Sequence, residues 1–338
     1  MQQGENMSRN DTDIFNLNDK KEDCEKFLRN LDAAGKGDTD AQYNVGHYYY
    51  YGIGVNRNYE QAFRWFWTAA DSNHTDAMFQ LGIMMQSGHY VSANPHGAFA
   101  QFQKAAELGH PESQGMLAIL YGTGDGVGKD PVLAKQWMEK AARSGDGFSQ
   151  MMLGYDYLHG RGVTRDYAKA FHWFKLASEN DEPNVWSALG DCYRKGLGTP
   201  RDLAKAIECY REGAELGNGE ELLRLAQCHF HGLGTERDTT AARECLKDIS
   251  DWLLPEAWFL MGEIYASEDY SEHDDAKAAQ WYGKAAAEDH PAACYKYALC
   301  LQQGKCVPQN PTSAEEWLRK SAELYFSDQT ERFRLGLD

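Results

Sequence analysis

The chain repeats itself every 36 residues, and that period constrains its fold more than any other feature. An apolar residue followed by a small one marks the period: Val45-Gly46, Leu81-Gly82, Leu117-Ala118, Leu153-Gly154, Leu189-Gly190, Leu225-Ala226, Met261-Gly262 and Tyr297-Ala298. A second column is alanine throughout, from Ala62 and Ala98 to Ala278 and Ala314. A third holds Trp65, Trp137, Trp173, Trp281 and Trp317, with Gln101, Cys209 and Cys245 in the other places. Periods of this length belong to solenoids, propellers and arrays, in which each unit buries its apolar face against its neighbours. The eight units span residues 41–328.

Within a unit the pattern predicts two helices. Tyr43, Gly46 and Tyr50 fall at helical spacing, and Gly52 ends the helix by accepting a left-handed backbone. Asn94-Pro95, Asp130-Pro131 and Asn310-Pro311 each place a capping oxygen before a proline at the first helical position. The second helix carries Ala62, Phe66 and Ala69 on one face. Trp65 and Phe66 are expected to fill the space toward the next repeat. Residues 23–40, with Ala33-Ala34 and Gly37, match a lone second helix and predict an N-terminal capping helix. Residues 1–22 are polar and expected to stay disordered. Residues 329–338 read as a C-terminal cap or tail that begins a further helix. The predicted fold class is all-α, a solenoid of stacked helix-turn-helix repeats.

The segment from Ser149 to Ser178 shows the unit best, with Leu153, Gly154, Tyr157, Gly160, Gly162, Val163, Asp166, Lys169, Ala170, Trp173 and Ala177 at fixed places. This pattern resembles the Sel1-like repeat, a relative of the tetratricopeptide repeat. The resemblance implies a right-handed superhelix, with first helices on its concave face and second helices on its convex one. It implies adaptor or scaffold roles rather than one activity, so a function has to be argued from a site. Two places depart from the pattern. Repeat 7 has Glu268 and Tyr270 where loop glycines belong, and repeat 6 ends with Leu253 at a small-residue position. Asp251 to Asp275 holds eight acidic residues and neither lysine nor arginine, which predicts a local bend, an exposed acidic patch or a solvated loop.

Composition narrows the partners. A formal net charge of −17 argues against nucleic acid or anionic lipid, whose phosphates need clustered cations, and it permits a basic protein partner. No apolar run reaches the length of a membrane span, and the N-terminal residues lack the basic-then-apolar order of a secretory signal, so a cytoplasmic location is expected. "GTGDGVGKD" (122–130) is not a phosphate loop, since Thr123 stands where a glycine is required and Asp130 where Ser or Thr would reach magnesium. Cys228 and His231 share a helical face without a second ligand pair, so neither metal nor cofactor is expected. Some cysteine-rich relatives carry a disulfide in every repeat, at a short spacing across the repeat junction that this chain lacks. Cys192, Cys209, Cys228 and Cys245 are therefore expected to be reduced core thiols. No G-x-S-x-G elbow occurs, nor an S-x-x-K motif backed by K-T-G.

What remains is the surface of the first helices. Three of their columns vary strongly along the array: Tyr43, Phe79, Gly115, Met151 and onward; His47, Ile83, Ile119, Tyr155, Asp191, Gln227, Glu263 and Leu299; and Tyr50, Gln86, Gly122, Leu158, Arg194 and onward. Variation against constant packing columns is what a specific binding surface needs. The candidate contact residues are Tyr43, His47, Tyr50, Tyr51, Phe79, Ile83, Met151, Tyr155, Asp191, Arg194, Lys195 and Glu263. The aromatics at repeats 1 and 2 are the expected anchors. The expected function is a non-enzymatic scaffold or adaptor holding a protein or peptide on the concave face. One alternative is an inhibitor or immunity protein that neutralises a basic toxin or enzyme. Another is β-lactam binding or hydrolysis, as linked with the cysteine-rich relatives.

Overall fold

A computed structural model describes the backbone of residues 9–247, 255–304 and 307–335, and the side chains of residues 21–247, 255–304 and 307–326. Among the described residues there are only helices, turns and bends. The chain forms two compact units. Unit 1 runs to Thr164 and includes residues 179–181; unit 2 takes residues 165–178 and everything from Glu182 onward.

Unit 1 starts with α1 (Arg9–Gly35). The hairpins α2 (Thr39–Tyr51) and α3 (Tyr59–Asp71), α4 (Thr75–Ser87) and α5 (Pro95–Glu107), and α6 (Pro111–Thr123) and α7 (Pro131–Ser144) follow, ending at α8 (Gly147–His159). Unit 2 opens on α9 (Tyr167–Glu179). It continues with α10 (Trp186–Lys195) and α11 (Leu203–Glu215), α12 (Gly219–His231) and α13 (Thr239–Lys247), α14 (Pro255–Tyr265) and α15 (Asp275–Ala287), and α16 (Pro291–Gln303) and α17 (Pro311–Leu335). Two expected boundaries move. The capping helix begins at Arg9 rather than residue 23, so the segment expected to be disordered is partly helical, and residues 1–8 lie outside the described residues. At the other end no further helix starts near 329, because α17 continues unbroken through that point.

Asp38, Asn58, Asn94, Asp130 and Asp274 accept backbone N–H groups at helix starts, and Gly52, Gly124, Gly160 and Gly232 turn left-handed at the ends. The small-residue column follows the size of its partner in the second helix. Gly46, Gly82, Gly154, Gly190 and Gly262 stand opposite Phe66, Phe102, Phe174, Tyr210 and Tyr282, whereas Ala118, Ala226 and Ala298 stand opposite Met138, Leu246 and Leu318. A Cβ at Gly46 would lie 2.6 Å from the Phe66 ring, and one at Gly82 2.5 Å from that of Phe102. A flat ring thus needs glycine below it, while an aliphatic side chain leaves room for a methyl. Phe66, Phe102, Phe174 and Tyr210 are fully buried as a result. Phe66 packs on Gly46 of its own hairpin and, as expected, shares a core cluster with Ala77, Met78, Leu81 and Met84 of the next repeat, whereas Trp65 packs back on α1 and α2 beside Phe27, Val45 and Tyr48.

Candidate interaction surface

In unit 1 the first-helix columns hold a chain of rings. Tyr43, His47 and Tyr51 recur at helical spacing on α2, with ring centroids 6.3 and then 4.5 Å apart. Tyr50 leaves this stripe and turns toward the second helix. Its ring meets Tyr59 at 5.3 Å, and its hydroxyl pairs with His89 Nδ1 at 3.0 Å. Tyr51 is 49% exposed, while Tyr43, His47, Tyr50, Phe79, Ile83 and Tyr155 are half-buried. Met151 is buried and belongs to the core. Burial holds the His47 pKa below the usual histidine range, so its ring is neutral near pH 7.

Tyr43 and Phe79 also have a packing role that the sequence columns hide. Each covers the histidine that starts the next first helix. Tyr43 stacks on His74 at 4.8 Å, and Phe79 lies 5.2 Å from His110. In unit 2 Phe259 stacks on His290 at 4.7 Å. These histidines are helix N-caps whose Nδ1 accepts the N–H of Ala77 at 3.3 Å, Ser113 at 3.1 Å and Ala293 at 3.1 Å. Each also faces a carboxylate three residues before the ring that covers it. His74 Nε2 lies 3.3 Å from Asp40, His110 Nε2 lies 3.0 Å from Asp76, and His290 is within electrostatic reach of Glu256. Carboxylate, ring and histidine occur together at these three junctions. Where the cap is Asp146, the ring position is Gly115, whose Cβ would press on the Asp146 carboxylate at 2.8 Å.

The four polar candidates of unit 2 form two buried-edge networks. Asp191 accepts from Arg194 Nη2 at 2.8 Å, Lys195 Nζ at 2.8 Å and the buried Tyr210 hydroxyl at 2.7 Å. Burial alone would raise the Asp191 pKa, but hydrogen bonds from Lys195, Tyr210 and Arg194 outweigh it and hold the carboxyl at about 2. Glu263 accepts from the Tyr282 hydroxyl at 2.5 Å and pairs with Lys296 at 2.8 Å. Tyr210 and Tyr282 occupy the column that is phenylalanine at Phe66, Phe102 and Phe174, and a carboxylate stands opposite each. A buried phenol needs an acceptor where a phenyl ring needs none.

Part of the acidic run is engaged in the same way, while Glu268 and Glu272 are exposed; residues 251–254 lie outside the described residues. Arg237 reaches from the preceding loop to Asp269 at 2.8 and 3.2 Å and to Ser267 at 2.8 Å. Tyr270, standing where a glycine is usual, is buried edge-on against Tyr265. The loop of repeat 7 is thus tied by an arginine and a buried ring instead of a glycine turn. The seven described cysteines are free thiols. Burial pushes Cys192 and Cys209 up to about 12, which leaves them protonated and unreactive near pH 7. Cys306 lies outside the described residues. Among the described residues no cluster of three or more His, Cys, Asp or Glu could hold a metal ion, and no helix is long and apolar enough to cross a membrane.

The Sel1 repeat model matches eight times, at residues 39–74, 75–110, 111–146, 147–182, 187–218, 222–247, 255–290 and 291–326. The chain belongs to the Sel1 repeat family. Among solved structures it is similar to a protective antigen of uropathogenic Escherichia coli strains that displays the same repeat fold. Identity is 30% and the TM-score 0.71, over 91% of this chain and 68% of the other. It is also similar to a Sel1 repeat protein from Oxalobacter formigenes, with 27% identity and a TM-score of 0.54, over 68% of this chain and 98% of that one. No curated protein matches. Sel1 repeats typically mediate protein–protein interaction and are generally not catalytic, which directs attention to exposed side chains that the repeat itself does not require.

Two such residues lie outside the candidate first-helix columns. Trp67 is 51% exposed in a Sel1 position that is otherwise polar or small, namely Gln103, Glu139, Lys175, Arg211, Lys247, Gly283 and Arg319. Tyr90 takes a left-handed φ of 71° at a loop position that is glycine in most repeats. Phe63 lies between them, 5.9 Å from Trp67 and 5.7 Å from Tyr90. Comparing the outward columns as closely as the inward ones would have marked both.

Proposed function

We propose that this Sel1 repeat protein is a non-enzymatic scaffold that binds a protein or peptide partner along its first-helix face. The Tyr43–His47–Tyr51 stripe carries the reading. It is an aromatic row on one helix face, and its Tyr51 end meets solvent in a column that is otherwise polar, from Ser87 and Thr123 to Ser267 and Gln303. Rigid aromatic side chains bury much area at small entropic cost, which suits them as interface anchors. Asp191, Arg194, Lys195 and Glu263 contribute less to recognition, because their hydrogen bonds are already made within the fold.

A photo-crosslinking amino acid placed at Tyr51 tests the proposal against the same probe at Gln103 on the second-helix face. Partner adducts from position 51 and none from position 103 are expected in native extracts. Adducts from position 103 alone would move the binding face and overturn the reading.

A further inference from the structure

The first helices of unit 1 are free of cations. Over α2, α4, α6 and α8 there is neither lysine nor arginine, and their formal charges are Asp40, Asp76, Glu112 and Asp156. Asp156 is attended by Lys135 and Arg161. The other three share one column in the first turn, and their side chains are 90, 53 and 57% exposed. Their contacts are with His74 and His110. Because Nδ1 of each histidine accepts a backbone N–H, it carries no proton, and the ring is the neutral tautomer that donates from Nε2. A neutral imidazole fixes a carboxylate in place without cancelling its charge. The edge therefore stays anionic.

Beside this edge runs the ring stripe of Tyr43, His47 and Tyr51, about 12 Å long at the rise of an α-helix. Elsewhere the protein covers its own tyrosines with cations: Lys205 stands over Tyr193 at 5.5 Å, Lys277 over Tyr265 at 5.3 Å and Lys296 over Tyr282 at 5.9 Å. Among the described residues no lysine or arginine covers Tyr43 or Tyr51. Unit 1 thus presents an exposed ring, Tyr51, at the end of α2 and exposed carboxylates at the first-helix starts, the two kinds of group that recognise guanidinium groups by stacking and by forked hydrogen bonds.

We infer that this face takes a segment of another polypeptide bearing several arginines, with one guanidinium plane on Tyr51 at the end of α2 and others forked against Asp40 and Asp76 at the helix starts, about 16 Å away along the helix. The inference rests on the first-helix face being the binding face and adds the chemistry of the partner. Arginine fits better than lysine, since its weakly hydrated planar group stacks on rings and matches a carboxylate at two points.

A short fluorescein-labelled Gly-Ser peptide bearing arginines at alternating positions, with a citrulline counterpart, provides the probe. Fluorescence anisotropy should show binding of the arginine peptide that weakens as salt rises. Asp40→Asn with Asp76→Asn should lower affinity by about tenfold, while asparagine keeps the oxygen that accepts from each histidine. Tyr51→Ala should lower it severalfold. The exposed pair Glu315→Gln with Glu316→Gln on α17 removes the same charge and should leave affinity within about twofold. Equal loss from the α17 pair, or equal binding of the citrulline peptide, overturns the inference. Crosslinks from position 51 to a neutral or acidic partner segment also overturn it, while leaving the first-helix reading intact.

Discussion

The same Sel1 columns are filled differently in the two units. In unit 2 the His47 column carries Asp191 and Glu263, and each is answered from inside by a tyrosine hydroxyl and a lysine, with Arg194 joining Asp191. In unit 1 the same column is His47, Ile83, Ile119 and Tyr155, three of the four carboxylates sit at the helix starts, and the first helices contain no cation. Variation along a repeat array is therefore of two kinds. Variation that a neighbour compensates belongs to packing. Variation left uncompensated is available to a partner.

Breaking the compensated side should cost most. Asp191→Ala leaves the buried Tyr210 hydroxyl without its carboxylate acceptor and two cations without their anion, and about 3 kcal/mol of stability should be lost in urea unfolding. Adding Tyr210→Phe should recover part of that loss, since the orphaned hydroxyl goes with it. The sign with pH follows from the depressed pKa. Asp191 binds its proton less readily folded than unfolded, so its contribution is complete above its ordinary value near 4 and fades as pH falls toward about 2. Asp191→Asn should flatten the acid limb of the stability curve over that window. An unchanged limb would remove Asp191 from the compensated class.

A second compensated site should respond more mildly. Helix α10 starts late, at Trp186, and its Val185 N-cap offers no side-chain acceptor. Glu221 supplies one from the next repeat, accepting the Ser187 N–H at 3.1 Å, and Gly213 makes room where the family column is alanine. Burial raises the Glu221 pKa, with its own and the Ser187 backbone N–H groups opposing the shift. A raised carboxyl pKa means that the charged form is penalised by folding, so this group's contribution improves as pH falls through its folded value. Glu221→Gln keeps the acceptor and removes the charge. It should be more stable than wild type at neutral pH, while Glu221→Ala should lose about 1–3 kcal/mol through the unpaired N–H. Thermal unfolding of the two variants across pH separates the cap from the charge.

These pairs explain what the sequence could and could not disclose. The hairpins, caps and glycine turns were legible because each is written in one column, and a column repeats eight times. The pairings cross columns at offsets of geometric origin. Tyr210 answers Asp191 from the facing helix, His74 lies under Tyr43 across a repeat junction, and Gly213 yields to Glu221. None of these offsets follows from the period. A trace of them exists in the way columns vary together: glycine under rings and alanine under aliphatics, histidine caps with aromatic covers, tyrosine with carboxylate. The candidate residues therefore mix two roles. Tyr43, Phe79, Asp191 and Glu263 are held within the fold, while Tyr51 and Lys195 reach well into solvent. Helical spacing alone could not separate Tyr50, which is bonded to His89, from Tyr51 beside it.

The uncompensated side sharpens the comparison through a substitution that should barely affect folding. Tyr51 ends α2, is 49% exposed and pairs its ring with His47 at 4.5 Å and Tyr50 at 4.9 Å. Tyr51→Ala removes part of that contact and leaves no buried polar group unpaired, so its stability should stay within about 0.5 kcal/mol of wild type. A ring that the fold does not need, on a helix whose carboxylate the fold does not neutralise, is what a binding surface leaves open. If Tyr51→Ala instead unfolded at a midpoint as low as Asp191→Ala, the ring would count as packing, and the distinction between the two units would collapse into one set of structural contacts.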